Sequence, residues 1–307
     1  MRELVHSGSV KRVYSLGDDT YEFEFTDGIS VFDMVIPTPI PGKGAALCDC
    51  ACCWFGLLDD LGIDHHFIDR SGPTTIRVRP VRIIRDYGEI VDGRTNHLIP
   101  LEFVLRHYVA GSLFDRLQSG EIAAADVGLK PDEVGYGGRL PRGYFEMSTK
   151  LEPYDRFLSV EAALEMAGMP PERLDRIEAI ARTIDEAMHD ALAPTNMIHV
   201  DGKKEFGYDR DGTLMVVDVF GTPDEDRFWS RTAYDANGEC VELSKEAVRQ
   251  HYRRSGYKDR LYEAREAGRT EPPIPPLPAE IVEEASEMYR RIASEITGSS
   301  VGAKAGV

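Results

Sequence analysis

TNMIHVDGKKEFGYDRDGTLMVVDVFGTPDEDRFW, residues 195–229, is the stretch that decides the fold. Its pattern predicts two β-strands joined by a tight turn. The first strand covers residues 197–208, and the second is the Val-rich run at residues 213–220 that lies between two glycines. Asp211-Gly212 is a favoured two-residue hairpin turn, because both positions tolerate a positive φ. We therefore expect an antiparallel hairpin here.

The predicted turn fixes the register of this hairpin. It pairs Arg210 with Thr213, and counting back places Glu205 directly opposite Asp218. Side chains opposed in this way have their Cβ atoms about 5 Å apart. Two carboxylates held that close repel each other unless a cation lies between them or one keeps its proton. Mg²⁺ in nucleotide sites takes oxygen ligands from one or two carboxylates, phosphate and water. The hairpin therefore predicts that Glu205 and Asp218 bind Mg²⁺.

Two other interpretations of the hairpin stay open. Strand alternation places Asp201 and Lys203 on the same face as Glu205, and such a face can also be an ordinary solvated surface. A four-residue loop would shift the register and bring Lys203 opposite Asp218, which would make a plain ion pair. The pattern alone does not decide between these registers.

The spacing of residues in this stretch resembles the SAICAR synthetase family, the phosphoribosylaminoimidazole-succinocarboxamide synthases of purine biosynthesis. The matching positions are Val200-Asp201, Lys203, Glu205-Phe206-Gly207, Asp218, Thr222-Pro223-Asp224 and Arg227-Phe228-Trp229. Three positions depart from the pattern. The family usually has an apolar residue or Thr at Gly202, an apolar residue at Lys204 and a Glu at Val219. The missing Glu adjoins the proposed metal ligand, so the number of metal ions stays open.

The composition favours a soluble protein. The chain has 307 residues, of which 42% are hydrophobic, and this is enough for one large domain or for two lobes that share a cleft. No run is long enough to span a membrane, and the N-terminus lacks the apolar core of a signal peptide, so we expect a cytoplasmic protein. The net charge of −17 argues against nucleic-acid binding, which needs a basic face.

Four of the five cysteines cluster at Cys48, Cys50, Cys52 and Cys53. An odd number of cysteines in a chain of this type argues against a disulfide framework, and their spacing differs from the paired spacing of zinc ligands. Residues 44–63 are predicted to form a helix, in which cysteine packs as a small buried hydrophobe. We interpret this cluster as structural.

The N-terminal region is predicted to begin with an antiparallel hairpin whose turn lies at residues 17–19. Small residues before its first strand let the backbone approach a phosphate, and Lys11 adds positive charge. The family opens with a Gly-Lys-x-Lys/Arg phosphate loop at this place. Gly8 and Lys11 match this loop, whereas Ser9 replaces its first Lys. The resemblance implies that Gly8 and Lys11 bind ATP.

Residues 26–44 carry two further blocks of the family pattern, Thr-Asp-x-Ile-Ser-x-Phe-Asp and Pro-Gly-Lys-Gly. Prolines between the blocks force an extended connection. The resemblance implies that Asp33 and Lys43 border the substrate cleft, with Lys43 available to polyanions. A solvated loop lysine is the alternative for Lys43.

Another family block follows a lobe boundary that we place at residues 88–93. It consists of Ile-Pro-x-Glu-x-Val-x-Arg, which ends at Arg106, and of Ala-Gly-Ser, which ends at Ser112 and opens a helix. Free N–H groups at a helix N-terminus and a Ser hydroxyl make an anion seat. By resemblance, Arg106, Ser112 and Arg227 bind the imidazole nucleotide. Glu102 within the block is either an edge-strand charge or a cleft residue.

The region after this block is interpreted mainly as scaffold. Residues 148–150 match a Ser-Thr-Lys tripeptide that many family members have. Residues 159–193 are predicted to be mostly helical, because their apolar positions recur every three or four residues. Asp185, like its neighbours Glu178 and Glu186, is placed on the solvated side of this helix.

The resemblance implies an α+β fold. Residues 1–90 would form an antiparallel β-rich lobe that clamps ATP. Residues 91–296 would form a mixed α/β lobe that binds substrate and metal and ends in C-terminal helices, followed by a flexible tail at residues 297–307. ATP would lie in the cleft between the lobes, and a homo-oligomer is possible.

The implied reaction joins 5-amino-1-(5-phosphoribosyl)imidazole-4-carboxylate to L-aspartate and converts ATP to ADP and phosphate. A carboxylate is a poor electrophile, so it must first be phosphorylated, which needs Mg²⁺ and cationic groups. Lys11 and Lys203 would contact phosphate, and Asp201 is a candidate to take the proton of the aspartate amine. Two alternatives stay open. The chain could act on another carboxylate, or it could be a nucleotide-binding regulator without turnover.

Overall fold

The computed structural model describes residues 2–8, 10–17, 19–152 and 154–298. Its first seven strands are β1 (Glu3–Ser7), β2 (Lys11–Gly17), β3 (Thr20–Phe25), β4 (Ser30–Val31), β5 (Met34–Val35), β6 (Phe67–Gly72) and β7 (Thr75–Val78). Five of them form an antiparallel sheet in the order β1-β2-β3-β7-β6, and β4 and β5 pair with each other. The predicted N-terminal hairpin is confirmed as β2 and β3.

A second, seven-stranded sheet forms the centre of the molecule. Its strands are β8 (His97–Leu98), β9 (Leu101–Tyr108), β10 (Arg139–Thr149), β11 (Phe157–Leu158), β12 (Met197–Tyr208), β13 (Leu214–Val217) and β14 (Arg227–Ser230). The main order is β11-β10-β9-β12-β13, while β8 and β14 also pair with β12. The bounds predicted for the first strand of the hairpin are confirmed by β12. This strand pairs with four others, so it holds the sheet together.

The helices complete the α+β fold that the sequence predicts. They are α1 (Lys43–Leu61), α2 (Gly111–Ser119), α3 (Val160–Ala167), α4 (Pro171–Leu192), α5 (Arg231–Asn237), α6 (Glu246–Arg254), α7 (Tyr257–Glu266) and α8 (Ala279–Thr297). Helix α1 packs between β3 and α8, and α4 packs on β12. None of the helices in the described ranges is both long and apolar enough to cross a membrane.

The predicted two-residue turn between β12 and β13 is wrong. Glu205 lies opposite Val217 rather than Asp218, and Lys203 lies opposite a residue of β9, so neither predicted register forms. The reason is a wider loop that Asp209 closes. Its carboxylate accepts hydrogen bonds from two backbone N–H groups further along the loop, at 2.9 and 2.8 Å. Local side-chain acceptors of this kind stabilise turns that strand alternation does not reveal.

Asp218 ends the predicted second strand early. It follows β13 with a left-handed backbone, φ 59°, which is uncommon for residues other than glycine but tolerated by aspartate. Its carboxylate also accepts a hydrogen bond of 2.8 Å from the N–H of Val219. The side chain is therefore aimed by the backbone turn and not by strand alternation.

Helix α1 is buried along most of its length. Cys48, Cys50, Cys52 and Cys53 form no disulfide bond and are buried in this helix, where they pack in the main hydrophobic cluster. Trp54 is fully buried beside them and donates a hydrogen bond of 2.8 Å to the carbonyl oxygen of Gly221. The cysteines thus occupy core positions of a predicted helix.

The Pro-Gly-Lys-Gly block brings the start of α1 against β3. Gly42 has φ 83°, and Gly44 lies so close to the sheet that a Cβ atom there would be 2.6 Å from the carbonyl oxygen of Phe25. The carboxylate of Asp27 accepts the N–H groups of both glycines, at 3.3 and 2.9 Å. The block is therefore required by backbone packing.

Helix α4 differs from its prediction in one place. Asp185 is fully buried instead of solvated, and it forms an ion pair with the equally buried Lys204 of β12. The apolar spacing of the helix does not reveal this, because a charge with a partner on another element can replace a core residue.

Of the other predicted features, Ser9, Asp18 of the first turn and residues 299–307 of the tail lie outside the described residues.

The contact at Gly44 generates a stability prediction. Gly44→Ala is expected to lower the free energy of unfolding by about 1–3 kcal/mol, because the added methyl group forces α1 away from a backbone atom that cannot turn aside. Chemical unfolding monitored by circular dichroism measures the change. Ala45→Ser, at the next and half-buried position, is the control and is expected to change stability by less than about 0.5 kcal/mol. Equal stability of wild type and Gly44→Ala would contradict this packing.

A buried carboxylate beside β14 generates a second prediction. Glu242 accepts hydrogen bonds from the indole of Trp229 at 2.9 Å and from the hydroxyl of Tyr136 at 3.1 Å. Burial raises the pKa of Glu242 to about 7, although Arg227 opposes the shift. A carboxyl group with a raised pKa stabilises the fold at low pH, and this contribution is lost as the pH rises towards the pKa of the folded state.

Glu242→Gln removes the ionisation and keeps an oxygen acceptor. Its free energy of unfolding relative to wild type is expected to rise by about 1–3 kcal/mol between about pH 5 and pH 8. Urea unfolding at the two pH values measures this change, and the exposed Glu239→Gln is the control. A relative stability that is flat or falls with pH would contradict the raised pKa.

Candidate active site

A cleft of about 420 Å³ lies where the two sheets meet. One wall comes from β2, β3 and β7, and the other comes from β8, the end of β10, β12 and β13. Apolar side chains line most of the cleft, among them Val13, Phe23, Val78, Leu98 and Val217. Charged groups gather at one end. Such a cavity suits a ligand with a flat apolar part and a charged part.

The charged end joins four elements of the fold. Nζ of Lys150, which follows β10, lies 2.5 Å from Oε1 of Glu205 and 4.0 Å from Oδ2 of Asp218. Lys11 of β2 forms a second ion pair with Asp218. The predicted neighbours Glu205 and Asp218 are thus brought around one ammonium group, although the register differs from the predicted one.

The two carboxylates have different electrostatic environments. Burial raises the pKa of Glu205, and this effect outweighs the neighbouring Lys150. Burial would also raise the pKa of Asp218, but Lys11 and Lys150 outweigh it and hold that pKa well below its usual range. Asp218 is therefore a carboxylate at neutral pH.

Glu205 and Asp218 fit a divalent cation with oxygen ligands. Oε2 of Glu205 is buried and has no hydrogen-bond partner among the described residues. An acceptor in this state is unfavourable unless a cation or donor meets it. Two carboxylates at the charged end of a cleft are ligands of the kind that Mg²⁺ takes beside nucleotide phosphates.

Lys203 lies among three carboxylates. Its Nζ is 2.7 Å from Glu102, 3.1 Å from Glu225 and 3.5 Å from Glu205. Burial alone would lower the pKa of Lys203, but these carboxylates raise it well above its usual range. Lys203 is therefore a fixed positive charge and not a proton acceptor. Of the two interpretations of Glu102, the structure favours the cleft residue.

Asp201 is held between two arginines on the same side of the sheet. It accepts a hydrogen bond of 3.2 Å from Arg106 and forms an ion pair with Arg227. Arg106 also donates to Glu146 at 2.6 Å and to the hydroxyl of Ser112 at 3.0 Å. The predicted neighbours Arg106 and Ser112 are therefore together. Both arginines contact the same oxygen, Oδ2, so Asp201 holds two guanidinium groups in place.

A smaller cavity of about 180 Å³ adjoins this network. Asp201, Lys203 and Arg227 line it together with Asp155 and Lys245, so its walls are almost entirely charged. Lys203 faces this cavity, while its partner Glu205 lines the apolar cleft. The two cavities therefore meet at one ion pair.

Lys43 is not available to polyanions, and this prediction is wrong. Its side chain is fully buried, and Nζ lies 2.7 Å from the carboxylate of Asp224. Asp224 itself lines the small cavity, so Lys43 supports the site from behind. Asp33 is exposed, with one guanidinium nitrogen of Arg265 at 3.5 Å.

Gly8 precedes β2, as predicted, and its N–H donates a hydrogen bond of 2.9 Å to the carbonyl oxygen of Lys11. This bond ties Gly8 to Lys11, which lines the cleft. Ser9, whose identity departs from the family pattern, lies outside the described residues.

The sequence did not lead us to predict three residues of the site. Lys150 could have been predicted, because it ends the Ser-Thr-Lys tripeptide that many family members have. Glu225 directly follows the matched Thr-Pro-Asp block, but its own position gave no sign of a partner. Glu146 lies in a strand of unremarkable composition, and only long-range pairing brings it to Arg106.

Comparisons with known proteins identify one family that the chain resembles over most of its length. The family model described as SAICAR synthetase matches residues 4–264. The phosphoribosylaminoimidazole-succinocarboxamide synthase of Thermoplasma acidophilum is 45% identical over 298 residues, which cover 96% of this chain and 99% of the relative. A putative synthase of the same name from Archaeoglobus fulgidus is 33% identical, with coverage of 95% and 93%.

Solved structures show the same fold. A SAICAR synthase from Saccharomyces cerevisiae in complex with SAICAR has a TM-score of 0.74 at 23% identity, and the match covers 97% of this chain and 95% of that one. A type-2 SAICAR synthetase in complex with ADP has a TM-score of 0.69 at 25% identity, with coverage of 95% and 97%. By its sequence match and its shared full-length architecture, the chain belongs to the SAICAR synthetase family.

Proposed function

We propose that this chain is an ATP-dependent carbon–nitrogen ligase of purine biosynthesis. It would join 5-amino-1-(5-phosphoribosyl)imidazole-4-carboxylate to L-aspartate and form SAICAR, ADP and phosphate. One observation carries the proposal. Lys11, Lys150, Glu205 and Asp218 converge at the charged end of an apolar cleft, in a chain whose full-length relatives carry the name of this synthase.

ATP would bind with its base in the apolar part of the cleft and its phosphates at the charged end. Lys11 and Lys150 are the ammonium groups available there, and each would exchange a carboxylate partner for phosphate. Glu205 and Asp218 would hold Mg²⁺, which neutralises charge on the transferring phosphoryl group when bound. The orphaned Oε2 of Glu205 supports this assignment.

The imidazole carboxylate would lie near Lys203, where the cleft meets the small cavity. A fixed positive charge there would hold the carboxylate in place and would offset negative charge on the oxygens of the transferring phosphoryl group. Glu102 and Glu225 keep Lys203 protonated and oriented. The reaction splits into two easier steps, because the acyl phosphate is a far better target for an amine than a free carboxylate is.

The charged small cavity would take the anionic groups of the nucleotide and of aspartate. Arg227 lines it directly, and Asp201 orients Arg227 and Arg106 through its two ion pairs. We propose a positioning role for Asp201, because Arg106 and Arg227 both contact its Oδ2 atom. The lobes are proposed at residues 1–90 and 91–296, and the enzyme is proposed to act in the cytoplasm.

The release of ADP tests this function. Turnover is expected only when ATP, the imidazole nucleotide and L-aspartate are all present, and omission of any one should reduce ADP release to background. Release that continues without the imidazole nucleotide or without L-aspartate would favour a ligase or kinase for another carboxylate. Nucleotide binding without any turnover would favour a regulator. The relatives do not favour either alternative.

Asp218→Asn tests the metal ligands. We expect kcat to fall by at least about a hundredfold, because the substitution removes one charge at the phosphoryl group and preserves the shape of the side chain. Asp211→Asn, in the exposed turn of the same hairpin, is the matched control and should keep wild-type turnover. Wild-type rates for Asp218→Asn at saturating Mg²⁺ would contradict the assignment.

A further inference from the structure

A buried polar cluster lies on the side of β12 that faces α4, and the proposed reaction does not use it. It contains His107 from β9, His189 from α4 and His199 from β12. One ring nitrogen from each histidine lies within 4.8 Å of one from each of the other two. The rings of His107 and His189 are 4.3 Å apart at their centroids. Three separate elements thus converge through imidazole groups.

Two carboxylates fix the protons of this cluster. Nε2 of His107 lies 2.8 Å from Asp185, and Nε2 of His199 lies 2.7 Å from Asp226. A carboxylate accepts a hydrogen bond, so the Nε2 atoms of His107 and His199 carry the proton. In the neutral ring, Nδ1 of each of these two histidines then has a free lone pair. Histidines that bind a metal nearly always donate their other N–H group to such a partner.

Two nitrogens of the cluster are buried without a partner. Among the described residues, neither Nε2 of His189 nor Nδ1 of His199 has a hydrogen bond. Buried polar atoms in this state are rare and unfavourable. Both atoms belong to histidines of the cluster, and a metal ion is a partner that accepts such lone pairs.

The charges around the cluster favour a cation. Asp185 and Asp226 contribute two negative charges, and the ion pair of Asp185 with Lys204 offsets one.

Gly202 leaves the room that this arrangement needs. A Cβ atom at Gly202 would lie 2.2 Å from Oδ2 of Asp226 and 2.8 Å from Nε2 of His199. Gly202 and Lys204 are two of the positions at which the chain departs from the pattern that it otherwise resembles. Both departures are explained by one polar network between β12 and α4.

The cluster opens to solvent through a cavity of about 730 Å³, which all three histidines line. This cavity is separate from the ATP cleft and the small charged cavity. Zinc binds imidazole nitrogen at about 2.0–2.1 Å, and a tetrahedral zinc ion accepts a water molecule as fourth ligand beside three histidines. If each imidazole moved by about 1 Å, its nitrogen would lie at this bond length from a shared zinc ion.

We propose that His107, His189 and His199 bind a divalent transition metal ion, with Zn²⁺ as the preferred ion. Imidazole nitrogens select zinc, copper, nickel or cobalt over magnesium, so this site is chemically distinct from the pair Glu205 and Asp218. The bound ion ties α4 to β9 and β12. It thereby braces the strand that carries Lys203 and Glu205 from the opposite side.

Zinc binding to the purified full-length chain tests the proposal. The protein is stripped with a chelator and titrated with ZnCl₂ against a competing indicator, with excess Mg²⁺ present to occupy the carboxylate site. Wild type is expected to bind one equivalent of Zn²⁺ and to unfold at a higher temperature with Zn²⁺ than without it. His189→Gln is expected to lose both effects, and His251→Gln, outside the cluster, is the matched control that keeps them.

Cobalt provides a measurement that does not need a variant. Co²⁺ added to the stripped wild-type protein should give visible bands of a site with nitrogen and oxygen ligands, and Zn²⁺ should abolish them. Bands of thiolate ligation would instead place the metal at the cysteines and overturn the proposal. It is also overturned if wild type binds no Zn²⁺, or if folded His189→Gln binds Zn²⁺ as wild type does. If His189→Gln fails to fold, His107→Gln replaces it in the titration, with the same expected loss.

Discussion

Charges buried along β12 have to be neutralised where they lie, and the neutralising partners come from three other elements of the fold. Asp201 meets arginines of β9 and β14, Lys203 meets Glu102 of β9, and Lys204 meets Asp185 of α4. Removal of one partner from a buried pair typically destabilises a protein by about 3–5 kcal/mol, because the remaining charge stays without compensation. The central strand therefore dictates which neighbours surround it.

The same constraint prepares the site for its substrates. Glu205 and Asp218 are close enough to repel each other, and Lys11 and Lys150 offset that repulsion in the absence of ligand. When nucleotide phosphates and a metal arrive, the lysines can turn to phosphate while the metal takes the carboxylates. No new charge has to be buried without a partner at any point, which limits the electrostatic cost of binding.

Much of this could be predicted from the sequence, and the failures have physical causes. The bounds of β12, the cysteine helix and the residues of the family blocks follow from local patterns. The hairpin register does not, because Asp209 stabilises a wider loop and Asp218 adopts a positive φ. The burial of Lys43 and Asp185 was also missed. A charged residue in a core position is recognisable only from its partner, and that partner lies far away in sequence.

The role of Glu205 is the central claim, and ADP binding tests it most directly. Isothermal titration calorimetry would measure the ADP affinity of wild type and Glu205→Gln, each in a chelator and in saturating Mg²⁺. We expect Mg²⁺ to increase the affinity of wild type for ADP. In Glu205→Gln this increase should be smaller by at least about tenfold, while the affinity for ADP in the chelator is retained. An equal gain from Mg²⁺ in both proteins would contradict it.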